Sequence, residues 1–318
     1  VNAAKGVQQA SAAAVKVGSD MTKAIAGPMN AAVNTVAVAS IAAIAVGLTA
    51  GTKAAMEFED RFAMVKKTMS DIDDPEVFDK IAKDLQDLAQ IIPVRSTELA
   101  DLAAVAGQLG VGADDISSFT EVIGKLSVAT NMTGTQAATS LARFLNVTNE
   151  STDQAGKFAS VMVELGNNVA AQESEIILLA QNFGATGTVA GLAAEDILAF
   201  SAATRESGVQ AAAGATALGK MFMNISNAVK EGDVTKLATL SNLVGTDFAT
   251  AFKEDGALAV QEFLRSLSEL AQSGASVTPI LAELGLNNVR TSRAVLSLAN
   301  NNEGLAEAIE LARKEADA

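Results

Sequence analysis

The chain has 318 residues, of which 49% are hydrophobic but only 4% are aromatic, a composition that favours helices packed closely on small side chains. Because it contains neither Cys nor His, disulfides, thiolate or imidazole metal sites, and mechanisms built on a Cys nucleophile or a His base are excluded. The net charge of −14 opposes electrostatic binding to phosphates, so we expect no direct sequence-specific nucleic-acid binding.

Charge is distributed unevenly along the chain. Residues 1–53 carry four lysines and one aspartate, a net charge of +3, which leaves −17 for residues 54–318. The two parts are therefore expected to lie in different surroundings. Because the chain begins with Val1 rather than Met, we interpret it as an excerpt from a longer protein.

An uncharged run covers residues 24–52 and is broken near its start by Gly27-Pro28, and the spacing of apolar and small residues before this break predicts another helix there. The continuous part of the run is just over 20 residues long, enough to cross a bilayer of about 30 Å. Many positions are Ala, Ser, Thr, Asn or Gly, so the run is only marginally apolar. One interpretation is a membrane span over residues 31–51, with Lys23 and Lys53 near the two interfaces.

The same run also fits a heptad pattern that continues to residue 72, with apolar or small residues spaced alternately by three and four. This pattern predicts a long helix that associates with copies of itself as a coiled coil. Since Ala-rich sequence can match heptads by chance, a helix without this role is the alternative. The residues that we expect to carry self-association or membrane contact are Ile41, Ile44, Leu48, Phe58, Phe62 and Val65.

From residue 73 onward the pattern changes to helices of about 12 to 18 residues, most of which open with a capping residue or an acid and close with Gly or Asn. No convincing run of alternating strand formers separates them. We therefore predict an all-α protein, with long Ala-rich helices over residues 1–72 and a compact multi-helix domain over residues 73–318. One predicted helix covers residues 172–183, and the glycines that follow it, Gly184, Gly187 and Gly191, are interpreted as a helix C-cap and turns.

Most aromatic residues of this domain fall on apolar helical faces. Because aromatic residues are scarce, we expect them in the core. The predicted core positions are Phe119, Phe144, Phe158, Phe183, Phe200, Phe222 and Phe263.

Two parts of the domain resemble each other, over residues 96–150 and 173–230. Both contain an acid-Asp-Ile-x-x-Phe pattern, and the offset between matched positions runs from 77 to 81. We predict an internal duplication in which each copy is a unit of several helices. The matched pairs are Glu98 with Glu175, Gly107 with Gly184, Asp115 with Asp196, Ile116 with Ile197, Phe119 with Phe200, Leu141 with Leu218 and Arg143 with Lys220.

No catalytic, cofactor-binding or metal-binding residues are predicted. The Gly-Lys pairs lack the hydroxyl residue that a phosphate-binding loop needs after its lysine. The acidic residues around Pro75 lack the Gly and Glu of a calcium-binding loop and are more simply an acidic first helical turn. Glu173-Ser174 and Glu206-Ser207 resemble the Glu-Ser pair of lytic transglycosylases, but the Gly-Leu-Met-Gln element of those enzymes follows neither.

The order of motifs over residues 54–300 resembles the core region of phage tail tape measure proteins, of the kind first defined in lactococcal siphophages. In that family a Phe-Glu is followed by an acid-rich helix, a Leu-Ala-x-x-Gly turn, an Ala-Gly-Thr-x-Leu-type helix and a late Leu-Gly turn. The third motif departs from the pattern, since Ala215 stands where many members have Thr. The motifs stand here at Phe58-Glu59, Ala106-Gly107 through Gly110, Ala213-Gly214-Ala215 through Leu218, and Leu284-Gly285.

The resemblance implies a structural protein that lies in the tail lumen, sets tail length through its own chain length and scaffolds assembly of the tail tube. The implied partners are several parallel copies of the chain, the tail tube protein, tail assembly chaperones and tail tip proteins, with the host membrane during genome delivery. The implied locations are the virion, the host cytoplasm during assembly and the host envelope at infection.

Two other functions fit part of the sequence. A membrane-active, pore-forming toxin or effector would insert residues 30–50, but the large acidic helical part that follows argues against it. A muralytic tail-associated enzyme is the second alternative, and an in-gel peptidoglycan assay would test it.

Overall fold

The computed structural model describes residues 53–69 and 74–318. These residues form helices and turns and no β-strand, which confirms the predicted all-α fold. The first eight α-helices are α1 (53–68), α2 (Pro75–Leu88), α3 (Ser96–Gln108), α4 (Ala113–Ala129), α5 (Gly134–Thr148), α6 (Ala155–Asn168), α7 (Glu173–Ala190) and α8 (Ala194–Glu206). They are followed by α9 (Ala211–Glu231), α10 (Val234–Val244), α11 (Phe248–Glu254), α12 (Gly256–Gln272), α13 (Thr278–Glu283), α14 (Val289–Asn300) and α15 (Asn302–Ala316).

Several helices start with the predicted capping chemistry. The Asp74 carboxylate accepts a hydrogen bond from the N–H of Glu76 at 2.9 Å, and Pro75 occupies the first helical position of α2. At the start of α5, the side chains of Thr133 and Gln136 each accept a hydrogen bond from the other's backbone N–H. The prediction that helices open with capping residues is therefore confirmed at these two helices, and Thr133 and Gln136 form a capping box.

The predicted end of α7 is wrong. The helix continues through Gly184 and Gly187 and ends at Gly191, whose φ of 100° is left-handed backbone that favours glycine. A Cβ on Gly184 would lie 2.6 Å from a methyl group of Val147 on α5, and one on Gly187 would lie 2.9 Å from Ile197 on α8. The two inner glycines therefore let neighbouring helices approach α7 closely, and they do not end it.

Helix α11 is one that the sequence pattern did not predict. It has only seven residues, too few for a helical period to stand out. Its Phe248 and Phe252 are buried and stacked on each other, with ring centroids 6.0 Å apart. Tertiary packing of these two rings holds a helix that would be marginal in isolation.

Helix α7 lies at the centre of the helical array. It packs between α5 and α9, and it also packs on α6 and α8. The last helix, α15, packs on α6 and α8 as well, so these two helices form a middle layer between α7 and α15. Helix α8 is correspondingly buried along almost its whole length.

All seven predicted core phenylalanines are buried. Phe200 lies edge-on to Phe222, with ring centroids 5.0 Å apart, and Phe144 lies edge-on to Phe158 at 5.6 Å. Such pairs stabilise a core beyond the area that they bury. The prediction that the scarce aromatic residues form the core is confirmed.

The two segments with similar sequence have helices in the same order but of different lengths. Helix α7 begins 77 residues after α3, α8 begins 81 residues after α4, and α9 begins 77 residues after α5. Helix α7 has 18 residues against 13 in α3, while α8 has 13 against 17 in α4. The longer α7 raises the offset from 77 to 81, and the shorter α8 returns it to 77. The varying offset thus has a structural reason, and the duplication stays a prediction that superposing the two units would test.

Candidate association segment and the Arg313 cluster

Three of the six predicted association residues lie on α1, in the described part of the chain. Phe58, Phe62 and Val65 are buried. The rings of Phe58 and Phe62 are stacked, and Phe62 lies edge-on to Phe78 of α2 with centroids 6.5 Å apart. These side chains therefore contact the core of their own chain. The other three predicted residues, Ile41, Ile44 and Leu48, lie outside the described residues.

Helix α1 is also held against α3. Arg61 forms an ion pair with Asp101 at 3.0 Å, and both side chains are largely exposed. Thr68 lies against Gly107, where a Cβ would come within 2.5 Å of the Thr68 hydroxyl. The apolar side of α1 is thus covered within one chain. A contact of α1 with a second copy, and a domain boundary between residues 72 and 73, both stay predictions.

Arg313 on α15 joins three helices. Its Nε and one terminal nitrogen donate to the two oxygens of Asp196, in the first turn of α8, at 2.8 and 3.0 Å. Its two terminal nitrogens also donate to the oxygens of Asp255, the N-cap of α12, at 2.8 and 3.0 Å. Asp255 in addition accepts a hydrogen bond from the N–H of Leu258. The cluster therefore fixes the last helix against α8 and α12 through bidentate pairs.

The two carboxyls of this cluster have opposite pKa shifts. Burial raises the pKa of Asp196, whose side chain is only 6% exposed, although Arg313 acts in the other direction. Burial also acts to raise the pKa of Asp255, but hydrogen bonds from Arg313 and from the N–H of Leu258 outweigh it, so that pKa is lowered. Hydrogen bonds to both carboxylates raise the pKa of Arg313. The cluster therefore changes its charge on acidification through its carboxyls alone.

A cleft of about 430 Å³ lies beside this cluster, between the turn from α7 to α8, α9, and the junction of α11 and α12. Its walls carry Lys230 and Lys253 as well as Glu254 and the two aspartates already bound by Arg313. The charges of the cleft are therefore mixed. Among residues 53–69 and 74–318, no group of three or more acidic side chains is placed to hold a metal ion.

The two glutamates whose Glu-Ser pairs resemble that of lytic transglycosylases lie at helix ends. Glu206 accepts a hydrogen bond from the side-chain amide of Asn301 at 2.8 Å and lies against Gly304 in the first turn of α15. Glu173 is in the first turn of α7 and lies against Gly166. The dipole of α7 stabilises the negative charge of Glu173. Glu206 is the last residue of α8, but its carboxylate faces the first turn of α15, whose dipole favours a negative charge.

The Arg313 cluster could not be found from the sequence. The sequence singles out Asp196 only as the match of Asp115, and the bonds from Arg313 span 117 residues to Asp196 and 58 residues to Asp255. The basic pair Arg313-Lys314 in the last turn of a helix is equally typical of a solvated C-terminus. No local pattern distinguishes an arginine that joins helices from one that is solvated at the end of a helix.

None of the helices in the described part of the chain combines the length and the apolar character that crossing a bilayer requires. The predicted span over residues 31–51 lies outside the described residues.

The described residues form a multi-helix module in which charged clusters join helices to one another. Residues 82–277 match the family model of phage-related minor tail proteins. The chain therefore belongs to the phage-related minor tail protein family. No curated protein and no solved structure matches it. Family membership supports a structural role in the phage tail and a location in the virion.

Proposed function

We propose that the chain is part of a tape measure protein, which sets tail length and scaffolds assembly of the tail tube from within the tail lumen. The observation that carries this proposal is the family match over residues 82–277, combined with the motif order over residues 54–300. A structural role without catalysis is in keeping with the positions of Glu173 and Glu206, which stabilise helix ends.

In this proposal the two parts of the chain have different tasks. Residues 53–318 supply a folded body that α15 closes through the Arg313 cluster. Residues 30–52 supply the contact between parallel copies, through Ile41, Ile44 and Leu48. Because many residues of this run are small, copies can approach closely, and the same run can enter the host membrane when it is released from the tail.

The proposed partners follow from this placement. Inside the lumen the chain contacts other copies of itself and the tail tube protein, and at the ends of the tail it contacts the tail tip proteins. Before assembly, in the host cytoplasm, tail assembly chaperones bind it. The absence of Cys supports passage from the reducing cytoplasm through the envelope without disulfide chemistry.

Tail length provides the direct test. Two additional copies of residues 30–50 are inserted in frame after residue 50 of the parent gene in the phage, which keeps the heptad register and leaves residues 53–318 unchanged. We expect tails longer by about 63 Å, because each of the roughly 42 added residues rises 1.5 Å in a helix. Virions with tails of unchanged length, measured by electron microscopy, would contradict the proposal.

A second test concerns residues 30–52 themselves. Ile41→Asp combined with Ile44→Asp places charges in the heptad seam, and we expect it to abolish both self-association and liposome binding. Ala42→Asp combined with Ala45→Asp adds the same charges outside the seam, and it should abolish liposome binding alone. If sedimentation shows a monomeric wild-type chain that also ignores liposomes, the proposed role of this segment is wrong.

A further inference from the structure

The outer sides of α5, α7 and α9 form one surface that is poor in acidic residues and is called the front face below. No Asp or Glu occurs within residues 134–148, 176–190 or 211–230, although the chain has 37 of them. The acids of these helices lie only at their ends, at Glu173 and Glu175 of α7 and at Glu231 of α9. The front face therefore differs in charge from the rest of the molecule.

The three helices of the front face form one continuous surface, because α7 packs between α5 and α9. On one side of α7, the Gln181 side chain donates to the carbonyl of Ser140 on α5 at 2.9 Å. On the other side, the Thr186 hydroxyl lies 3.0 Å from where a Cβ on Gly219 of α9 would stand. The exposed stripe of α7 thus lies directly between those of its two neighbours.

The front face has an apolar centre between cations. Leu178 and Val189 on α7 are 51% and 60% exposed. Arg143 on α5 and Lys220 and Lys230 on α9 are exposed on either side of them, and none of the three takes part in the ion pairs of the described residues. Lys230 lies beside Val189, whose carbonyl accepts a hydrogen bond from its Nζ at 3.2 Å. Apolar side chains ringed by charges of one sign are typical of an interface with a partner of opposite charge.

The opposite side of the molecule carries such charges. Since α6 and α8 pack on both α7 and α15, helix α15 lies behind this middle layer. Its outer side, called the back face below, exposes Glu303, Glu307 and Glu310 at intervals of four and three residues, followed by Lys314 and Asp317. The front and back faces are thus oppositely charged surfaces on the two sides of one chain.

We propose that the front face of one copy binds the back face of a second copy. The opposite charges attract within a Debye length of about 8 Å at physiological salt, and repulsion between copies with a net charge of −14 is largely screened beyond that distance. The methylene stems of the glutamates cover Leu178 and Val189 from water. Because two different surfaces meet, the contact is heterologous, and it closes into a ring or continues as a stack.

Two other occupants fit the front face less well. Residues 1–53 carry a net charge of +3, the same sign as the front face. Duplex DNA would have to approach a strongly negative chain, and three cations supply few of the phosphate contacts that such binding needs. A second copy is also present at high local concentration when residues 30–52 associate, the one point at which this inference rests on the proposed function.

Because the chain contains no Cys, single cysteines test the contact directly. Full-length chains with Ala185→Cys on the front face are mixed with chains carrying Glu307→Cys on the back face, and disulfide formation is followed under mild oxidation. In the control mixture, Ala238→Cys on the exposed side of α10 replaces Ala185→Cys. We expect the first mixture to cross-link at least about tenfold faster, since the contact raises the local thiol concentration. Rates equal to the control, or cross-links only between two Ala185→Cys chains, would overturn the proposal.

Charge reversal then tests whether the charges carry the contact. Arg143→Glu, Lys220→Glu and Lys230→Glu together in the Ala185→Cys chain should abolish the cross-link, because the front face becomes acidic. Adding Glu303→Lys and Glu310→Lys to the Glu307→Cys chain should restore it, because attraction returns with the opposite polarity. Failure of restoration between two chains that both fold, as shown by their thermal unfolding, would count against charge complementarity.

A matched control makes the same change in net charge elsewhere. Lys80→Glu, Lys83→Glu and Arg293→Glu alter exposed residues outside both faces and should leave the cross-link unchanged. A cross-link that persists in the front-face variant would overturn this inference, and the tail-length test of the proposed function would be unaffected. Binding of duplex DNA that is lost in the front-face variant, without any cross-link in the wild type, would identify a nucleic-acid surface and reject the second copy.

Discussion

The unit of α3, α4 and α5 and the unit of α7, α8 and α9 use one sequence pattern in two ways. Asp115 in α4 and Asp196 in α8 hold the same place in the acid-Asp-Ile-x-x-Phe pattern. Asp115 is half-exposed, whereas Asp196 is buried and bound by Arg313 because α15 covers α8. The helix that packs on a unit, and not the pattern within it, decides whether this acid belongs to the surface or to the core.

The residues next to this aspartate also differ between the two units. Leu198 and Ala199 of α8 are fully buried, while Ser117 and Ser118, which precede Phe119 by the same intervals in α4, are partly or fully exposed. A helix that is apolar on all sides is typical of a position inside a protein, and one with a polar side is typical of the surface. Substitutions at matched positions can therefore test the difference between the two units.

The largest expected effect concerns the phenylalanines of the pattern. Phe119→Ala and Phe200→Ala should each cost about 3 to 5 kcal/mol of unfolding free energy, because both rings are buried. Phe200→Ala should cost about 0.5 to 1.5 kcal/mol more, since Phe200 alone of the two lies edge-on to another ring, that of Phe222. Urea unfolding measures both values. A larger loss for Phe119→Ala would mean that the first unit is the better packed one.

The next effect concerns the two matched aspartates of the pattern, Asp115 and Asp196, and the arginine that binds Asp196. Arg313→Met should cost about 3 kcal/mol, because it leaves the carboxylates of Asp196 and Asp255 without their shared cation. Asp115→Ala should cost at most about 1 kcal/mol, because Asp115 is half-exposed and loses only its interaction with the dipole of α4. Urea unfolding of the two variants compares the loss of the cation that α15 places on Asp196 with the loss of the matched, half-exposed Asp115. Similar losses for both would show that α15 contributes little to the difference between the units.

These contrasts show which parts of the structure the sequence could predict. The capping box of Thr133 and Gln136 and the burial of the phenylalanines depend on neighbours a few residues away or on helical period, so they are visible locally. The sequence does not show that α7 continues through Gly184 and Gly187, because a glycine that ends a helix and one that admits a neighbouring helix look the same in sequence. The role of Arg313 is not visible in the sequence, because Asp196 becomes its partner only when α15 packs on α8 in the folded chain.

A smaller effect is the pH dependence of the Arg313 cluster. A carboxyl whose pKa is lowered by folding stabilises the fold above its unfolded pKa, and this stabilisation is lost as the pH falls. Asp255 is of this kind, whereas the raised pKa of Asp196 means that the folded state binds that proton more tightly and resists acidification. Acidification from neutral pH to about pH 3 therefore destabilises the fold through Asp255, and Asp196 reduces the loss.

Two variants separate these contributions. Asp255→Asn should make the loss of stability on acidification smaller, and Asp196→Asn should make it larger. Urea unfolding at the two pH values gives each difference, and comparing differences removes the constant cost of weakening the pair with Arg313. Equal pH dependence in the two variants and the wild-type chain would contradict the assignment.

The smallest expected effect concerns the turns at which the two units are most alike. Gly110 and Gly191 both have positive φ, of 87° and 100°, and two residues later Gly112 and Ala193 have nearly the same extended backbone, with φ of −67° and −70°. A Cβ on Gly112 would meet no atom within 4 Å, and the second unit already carries alanine at this place.

Gly112→Ala should therefore raise the unfolding free energy by about 0.4 to 1 kcal/mol, because alanine restricts the unfolded chain without straining the folded one. Gly110→Ala is the matched control in the same turn, and it should cost about 1 to 2 kcal/mol, since alanine is strained in left-handed backbone. Thermal or urea unfolding resolves effects of opposite sign at positions two residues apart. Destabilisation by Gly112→Ala would mean that the two turns, despite their matching dihedral angles, do not tolerate the same residues, and the case for a duplicated unit would weaken accordingly.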